Sequence, residues 1–253
     1  MIAVLDVGRR VTTQVMIELE RAWRTRTMWA LAAAMLVVAG LVAFGASHQA
    51  HAATGVLTGD FEMRLVLDGV PALRIFVILM GILSVTSEYH HGDVVWRYLA
   101  EPSRTVLVAA KATTNAMVGA ILGVVALQLS ILVTVFQMET PVPNLGLTTA
   151  AAAQGIVGSI LSLALAGVLG VGIGAAVRNQ TAAVVGALVA VLLVEPLVTA
   201  LAPAVATYLP NAAAAAVSGG AGGAAWVTGL VTTVVYAAGA VVAGGIVCSR
   251  RDV

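Results

Sequence analysis

The chain has 253 residues, of which 60% are hydrophobic, 10% charged and 5% aromatic, with a formal net charge of +1 and a mean hydropathy of +1.01. Soluble domains carry about 25% charged residues, so this composition excludes an ordinary soluble fold and points to a membrane protein. A single cysteine, Cys248, excludes an internal disulfide and a cysteine-rich metal site, and nothing in the charge balance calls for a nucleic-acid partner.

Residues 10–25 read as an amphipathic helix lying in the membrane interface. Val11, Val15, Leu19 and Trp23 recur every four residues with Met16 beside them, and Thr13, Gln14, Glu20, Arg21 and Arg24 take the other face. Trp23 and Trp29 bracket the expected headgroup level. Six apolar segments follow, at about 27–46, 70–88, 106–136, 149–177, 181–201 and 224–247; each is near or above the roughly 20 residues that a helix needs to cross a bilayer. Their continuous apolar character excludes barrel strands, which alternate. The expected fold is therefore an all-α integral membrane protein, a single domain over 1–253.

Ala50-His51-Ala52 looks like a signal-peptide cleavage site, but the apolar core before it is longer than the 7–15 residues of such peptides. An uncleaved first span is expected. Orientation follows from the basic residues. With the N-terminus inside, Arg9, Arg10, Arg21, Arg24, Arg26, Arg97, Arg104, Lys111, Arg178, Arg250 and Arg251 all fall on or near the cytoplasmic side. Only Arg64 and Arg74 do not. Both termini are then cytoplasmic.

The outer loop at 47–69 is acidic. The one at 202–223 holds Pro203, Pro210 and a Gly-rich run, so it cannot be a straight helix and is expected to dip into the outer face as short helices. Gly119 and Gly123, and Gly170 and Gly174, have the spacing that lets helix backbones approach in lipid. Pro196 is expected to kink the fifth span.

Two ionisable residues fall inside spans. Glu195 lies about 14 residues from the start of the fifth and Arg74 about 14 from the end of the second, so each sits roughly 21 Å up at 1.5 Å per residue. A charge in hydrocarbon is costly unless paired or wetted. Either the two pair or share a polar cavity, or they snorkel to the outer interface.

The chemistry of an ATPase is missing. A P-loop requires G-x-x-x-x-G-K-[ST], and the only lysine, Lys111, lies in VAAKATT. A serine-dependent intramembrane protease would need a histidine base on a distant span. The four histidines, His48, His51, His90 and His91, are all outside the later spans. Neighbouring His90 and His91 point about 100° apart on a helix, which does not suit one metal ion.

What remains is a polar concentration between the second and third spans, from Ser87 to Lys111. Val94, Val95, Tyr98 and Leu99 give a short helix one apolar face, with Glu88, His90, Asp93, Arg97 and Glu101 around it. Pro102 should end that helix and Ser103 cap the next. The order Glu88-x-x-x-Gly92, Leu99-x-x-Pro102-Ser103-Arg104 and Ala110-Lys111 resembles the cytoplasmic loop of ABC-2-type permeases, the membrane subunits of ABC exporters. Asp93 stands where the family often has threonine. The layout is similar throughout, including an interfacial N-terminal helix, six spans and a Pro-rich outer segment before the last.

The resemblance implies a coupling loop over 89–105 that docks on a separate ATPase, with Glu88, His91, Gly92, Asp93, Val95, Tyr98, Leu99, Pro102, Ser103 and Arg104 at or near the contact. It implies that this chain is not itself an enzyme and holds no cofactor, ATP and Mg being bound by the partner ATPase. It also implies a second permease copy or related chain, a bacterial cytoplasmic membrane, and a transport route near Arg74 and Glu195. A lipophilic drug, a lipid or an apolar peptide would suit the Ala-, Val-, Leu- and Gly-lined spans equally, with Ser84, Asn115 and Gln128 as polar contacts. The alternatives are an ion-coupled secondary transporter, which needs intramembrane ionisable groups, and a membrane subunit that anchors a partner without transporting.

Overall fold

The computed structural model describes residues 2–54, 66–91, 104–137, 150–219 and 223–250. Among the described residues the regular structure is helical, and six helices are long and apolar enough to cross a membrane: Arg26–Gln49, Val66–Glu88, Val106–Phe136, Ala152–Val177, Gln180–Leu201 and Gly223–Cys248. That is the number and order expected from the apolar runs. The helices are α1 (Ile2–Arg24), α2 (Arg26–Thr54), α3 (Val70–His91), α4 (Arg104–Phe136), α5 (Ala150–Val177), α6 (Gln180–Leu201), α7 (Pro203–Ala206), α8 (Pro210–Ser218) and α9 (Gly223–Arg250).

The bundle is built around α5, which packs against α3, α4, α8 and α9. Half of its span is buried inside the molecule, against 6% of α6. Lipid tails are as apolar as leucine, so helices in a bilayer gain by close contact rather than by leaving water. The α5 sequence supplies that contact through small residues. A methyl group at Gly81 of α3 would lie 2.5 Å from the Gly167 carbonyl oxygen and 2.8 Å from the Val171 nitrogen, and one at Gly119 of α4 would lie 2.5 Å from the Leu163 carbonyl oxygen. Gly170 and Gly174 face α3 at Ile78 and Ile82, while Gly172 faces Ala240 of α9. Both glycine pairs singled out in the sequence are thus packing positions. Around them Met35, Ile82, Leu163 and Val171 are completely buried.

Two local features shape the ends. α5 stops at Arg178, whose φ of 56° is the left-handed conformation typical of a helix C-terminus; its guanidinium donates to the Val247 carbonyl of α9 at 3.0 Å. Asn179 then caps α6, its Oδ1 accepting from the Ala182 N–H at 3.0 Å. Farther along α6, residues Ala190–Val194 form a π turn. Pro196 has no N–H and its ring collides with the carbonyl four residues back in a regular helix. The wider turn relieves this, with the Glu195 N–H bonding Ala190 O instead. The kink expected at Pro196 therefore takes the form of a π turn just before it.

Beyond α6 the chain breaks at Ala202 (φ −137°, ψ 70°), as a residue before proline tends to. After α7, Leu209 is extended and Pro210 opens α8. α8 buries Ala213, Ala214, Val217 and Ser218 against α3, α5 and α9, so the Pro-rich segment does contain a short helix. At the same end, Gln137 Nε2 donates to Ser47 Oγ at 2.6 Å and joins the ends of α2 and α4.

Changing Gly170 to Ala should lower the unfolding midpoint in detergent by the equivalent of about 1–3 kcal/mol, the usual cost of overpacking. Gly186, with nothing within 4 Å of a built methyl, is the control: Gly186→Ala should be neutral or stabilising. Equal effects at the two sites would show that the close backbone contact is not what holds α3 to α5.

Candidate functional site

Two centres of buried charge lie at opposite ends of α3, one around Glu88 and the other around Arg74. They are 14 residues apart, about 21 Å along the helix.

The first joins three helices through the only lysine of the sequence. Lys111 on α4 is 4% exposed. An ammonium group has three N–H donors, and Nζ places them on Glu18 Oε2 of α1 at 3.2 Å, Glu88 Oε1 of α3 at 2.9 Å and the Ser84 carbonyl at 2.8 Å. Arg21 of α1 adds a contact of 3.5 Å to Glu88 Oε1. Within these contacts two cations face two carboxylates. Asn115 extends the network: its Nδ2 donates to Ser84 Oγ at 3.0 Å and to the Lys111 carbonyl at 2.9 Å. Charges this deep are tolerated only when paired and fully hydrogen-bonded.

This arrangement changes the reading of α1. Its buried face carries Glu18, at 7% exposure, and the Val15 carbonyl, which accepts a long 3.5 Å bond from Thr114 Oγ1. α1 is therefore tied to the bundle by polar bonds, and Met16, Leu19 and Trp23 of its apolar stripe stay exposed. The break to α2 falls at Thr25, whose Oγ1 donates to the Arg21 carbonyl at 2.8 Å. Trp29 braces that elbow, with its Nε1 donating to the Trp23 carbonyl at 2.7 Å and the two indoles edge-to-face at 4.7 Å.

Of the residues expected in the coupling loop, Glu88 lies in this centre, and Lys111 of the same motif is its hub. His91 ends α3 and Arg104 opens α4. Gly92, Asp93, Val95, Tyr98, Leu99, Pro102 and Ser103 lie outside the described residues. Ser84 and Asn115 serve the lysine network, and Gln128 is exposed on the outside of α4.

The second centre contains both intramembrane charges. Arg74 is 2% exposed; one terminal nitrogen donates to the Pro210 carbonyl at 2.8 Å and to Asn211 Oδ1 at 3.1 Å. Glu195 Oε2 accepts from the Asn211 backbone N–H at 3.0 Å. The structure brings Arg74 and Glu195 to one place, not as a direct ion pair but through the first turn of α8, which both hold. Arg74 Nε is buried without an acceptor among the described residues.

Glu18 and Asn211 were not singled out from the sequence. Glu18 had a visible signal, since it falls between Val15 and Ala22 on one helical face; Asn211, in an Ala-rich loop, had none. Among the described residues, no three His, Cys, Asp or Glu side chains gather as a metal site would require. No protein-family model matches the chain, and no curated protein sequence matches it significantly.

Replacing Lys111 with Met should take the shared buried cation from two carboxylates and cost about 3–5 kcal/mol, seen as a lower unfolding midpoint and faster proteolysis at the Thr25 elbow. Adding Glu18→Gln and Glu88→Gln removes the carboxylate charges and should recover most of the loss. A triple variant as unstable as Lys111→Met would show that packing of the lysine stem, not charge pairing, sets its importance.

Proposed function

We propose that this chain is the membrane permease subunit of an ATP-driven ABC exporter of the ABC-2 type, working in a bacterial cytoplasmic membrane with both termini on the cytoplasmic side. ATP and Mg bind to a separate ATPase that docks on the 89–105 loop, and a second permease copy or a related chain completes the transporter. The cargo is lipophilic, a drug, a lipid or an apolar peptide. The loop motif carries the resemblance, and the Lys111 centre is the observation that supports it best.

Lys111 bonds Glu88 and Ser84 before the loop and belongs to the helix after it, while Glu18 brings in α1. A force applied to the loop by a docked partner therefore reaches three helices together. The mixed charge and apolar face of the loop suit a cleft in a soluble protein. Most described basic residues, Arg21, Arg24, Arg26, Lys111 and Arg178, lie at the α1 end of the bundle, in keeping with that end facing the cytoplasm. Arg74 and Glu195, at the other end, mark the outer part of the route.

The buried Arg74 and Glu195 also favour a second reading, an ion-coupled transporter. A non-transporting anchor subunit would keep the loop but need no intramembrane charge. Purification of the tagged chain from its own host in mild detergent separates them. The expected result is a co-purifying P-loop ATPase that Tyr98→Asp and Leu99→Asp release while the chain stays folded. An intact chain with no accompanying ATPase would set the exporter reading aside and bring the other two forward.

A further inference from the structure

We propose that Arg74 and the first turn of α8 form an anion-binding cup, filled from within by the Glu195 carboxylate, and that the molecule handled here carries an acidic head group which displaces that carboxylate. This deepens the transport-route assignment and rests on it only for the direction of movement.

The charge arrangement carries the argument. A helix N-terminus holds about half a positive charge and favours anions, whereas cations belong at the C-terminus. Arg74 is at the wrong end of α8, bonded to Pro210 and Asn211 at its start. Its charge and that of the helix end add, and Glu195, on the Asn211 N–H, offsets only one of them. Among the described residues roughly half a positive charge is left over in a place where hydrocarbon strengthens every interaction. Asp68 does not supply the balance, because it lies beside Gly219 at the far end of α8.

One donor is also left over. Arg74 Nε is buried with no acceptor among the described residues, and a guanidinium recognises carboxylate or phosphate by presenting two parallel N–H groups. Glu195 uses a backbone N–H and both Arg74 bonds are made by one terminal nitrogen, so Nε remains for an incoming anion.

The test is binding of dodecyl phosphate to the purified full-length chain in neutral detergent, with dodecyltrimethylammonium and inorganic phosphate as comparisons. Dodecyl phosphate should bind and stabilise, and the cation should not. Arg74→Gln should weaken binding at least about tenfold, the scale of one charge-assisted hydrogen bond. Glu195→Gln should tighten it, because the internal competitor is gone. If the two residues only hold α8 in place, both changes weaken binding alike, and that outcome overturns the cup. Should Arg74→Gln not fold, unchanged or weaker binding by Glu195→Gln overturns it on its own. Binding of inorganic phosphate with the same dependence on both residues keeps the cup and names a soluble anion; binding of the amphiphile alone keeps it and names a lipid-like one. None of these measurements needs an ATPase, so the cup and the exporter reading stand or fall separately.

Discussion

Contact between backbones, made possible by missing side chains, is the constraint on which the rest of this bundle depends. In a bilayer no hydrophobic force pushes apolar helices together, and a chain poor in aromatics has few large surfaces with which to interlock. At the crossing of α3 and α5, Gly81 meets Gly167, Gly170 and Val171 with only main-chain atoms between them. That crossing fixes α3 along its length.

α3 carries one member of each centre, Glu88 at one end and Arg74 at the other. Neither charge is satisfied within α3. Glu88 depends on α4 through Lys111 and on α1 through Arg21, and Arg74 depends on α8. A rigid helix packed on the core through glycine, with polar attachments at both ends, is the kind of element that can pass a displacement from one face of a membrane to the other. The peripheral α6 differs: it is mostly exposed, broken by a π turn, and attached near its end through Glu195 and the start of α8.

The helices were readable because 20-residue apolar runs have one physical solution in a bilayer, and the elbow, the breaks at Pro203 and Pro210 and the small-residue contacts follow from residues with few options. The charged centres were only partly readable. That Arg74 and Glu195 would need relief followed from their depth, but its form depended on Asn211, whose polar atoms mean nothing until α8 folds back beside α3. Glu18 is instructive in the opposite way. A carboxylate in line with Val15 is an oddity on an apolar face, and the sole lysine of the sequence was the natural partner to seek. Periodicity placed Glu18 next to the stripe; only tertiary contact explains why burying it is tolerable.

Glu18 and Lys111 are separated by 93 positions, and this has a consequence for how the protein is made. At about 5–20 residues per second, α1 leaves the ribosome roughly 5 to 20 s before its lysine does. During that interval Glu18 has no lysine to bind, and α1 can rest on the membrane surface by Met16 and Trp23 alone. Its closure onto the bundle must wait until α3 and α4 have both been inserted with the correct topology. An inverted α4 would carry Lys111 to the other side of the bilayer and leave α1 loose, so the same ion network that steadies the finished molecule also reports whether its first half was threaded correctly.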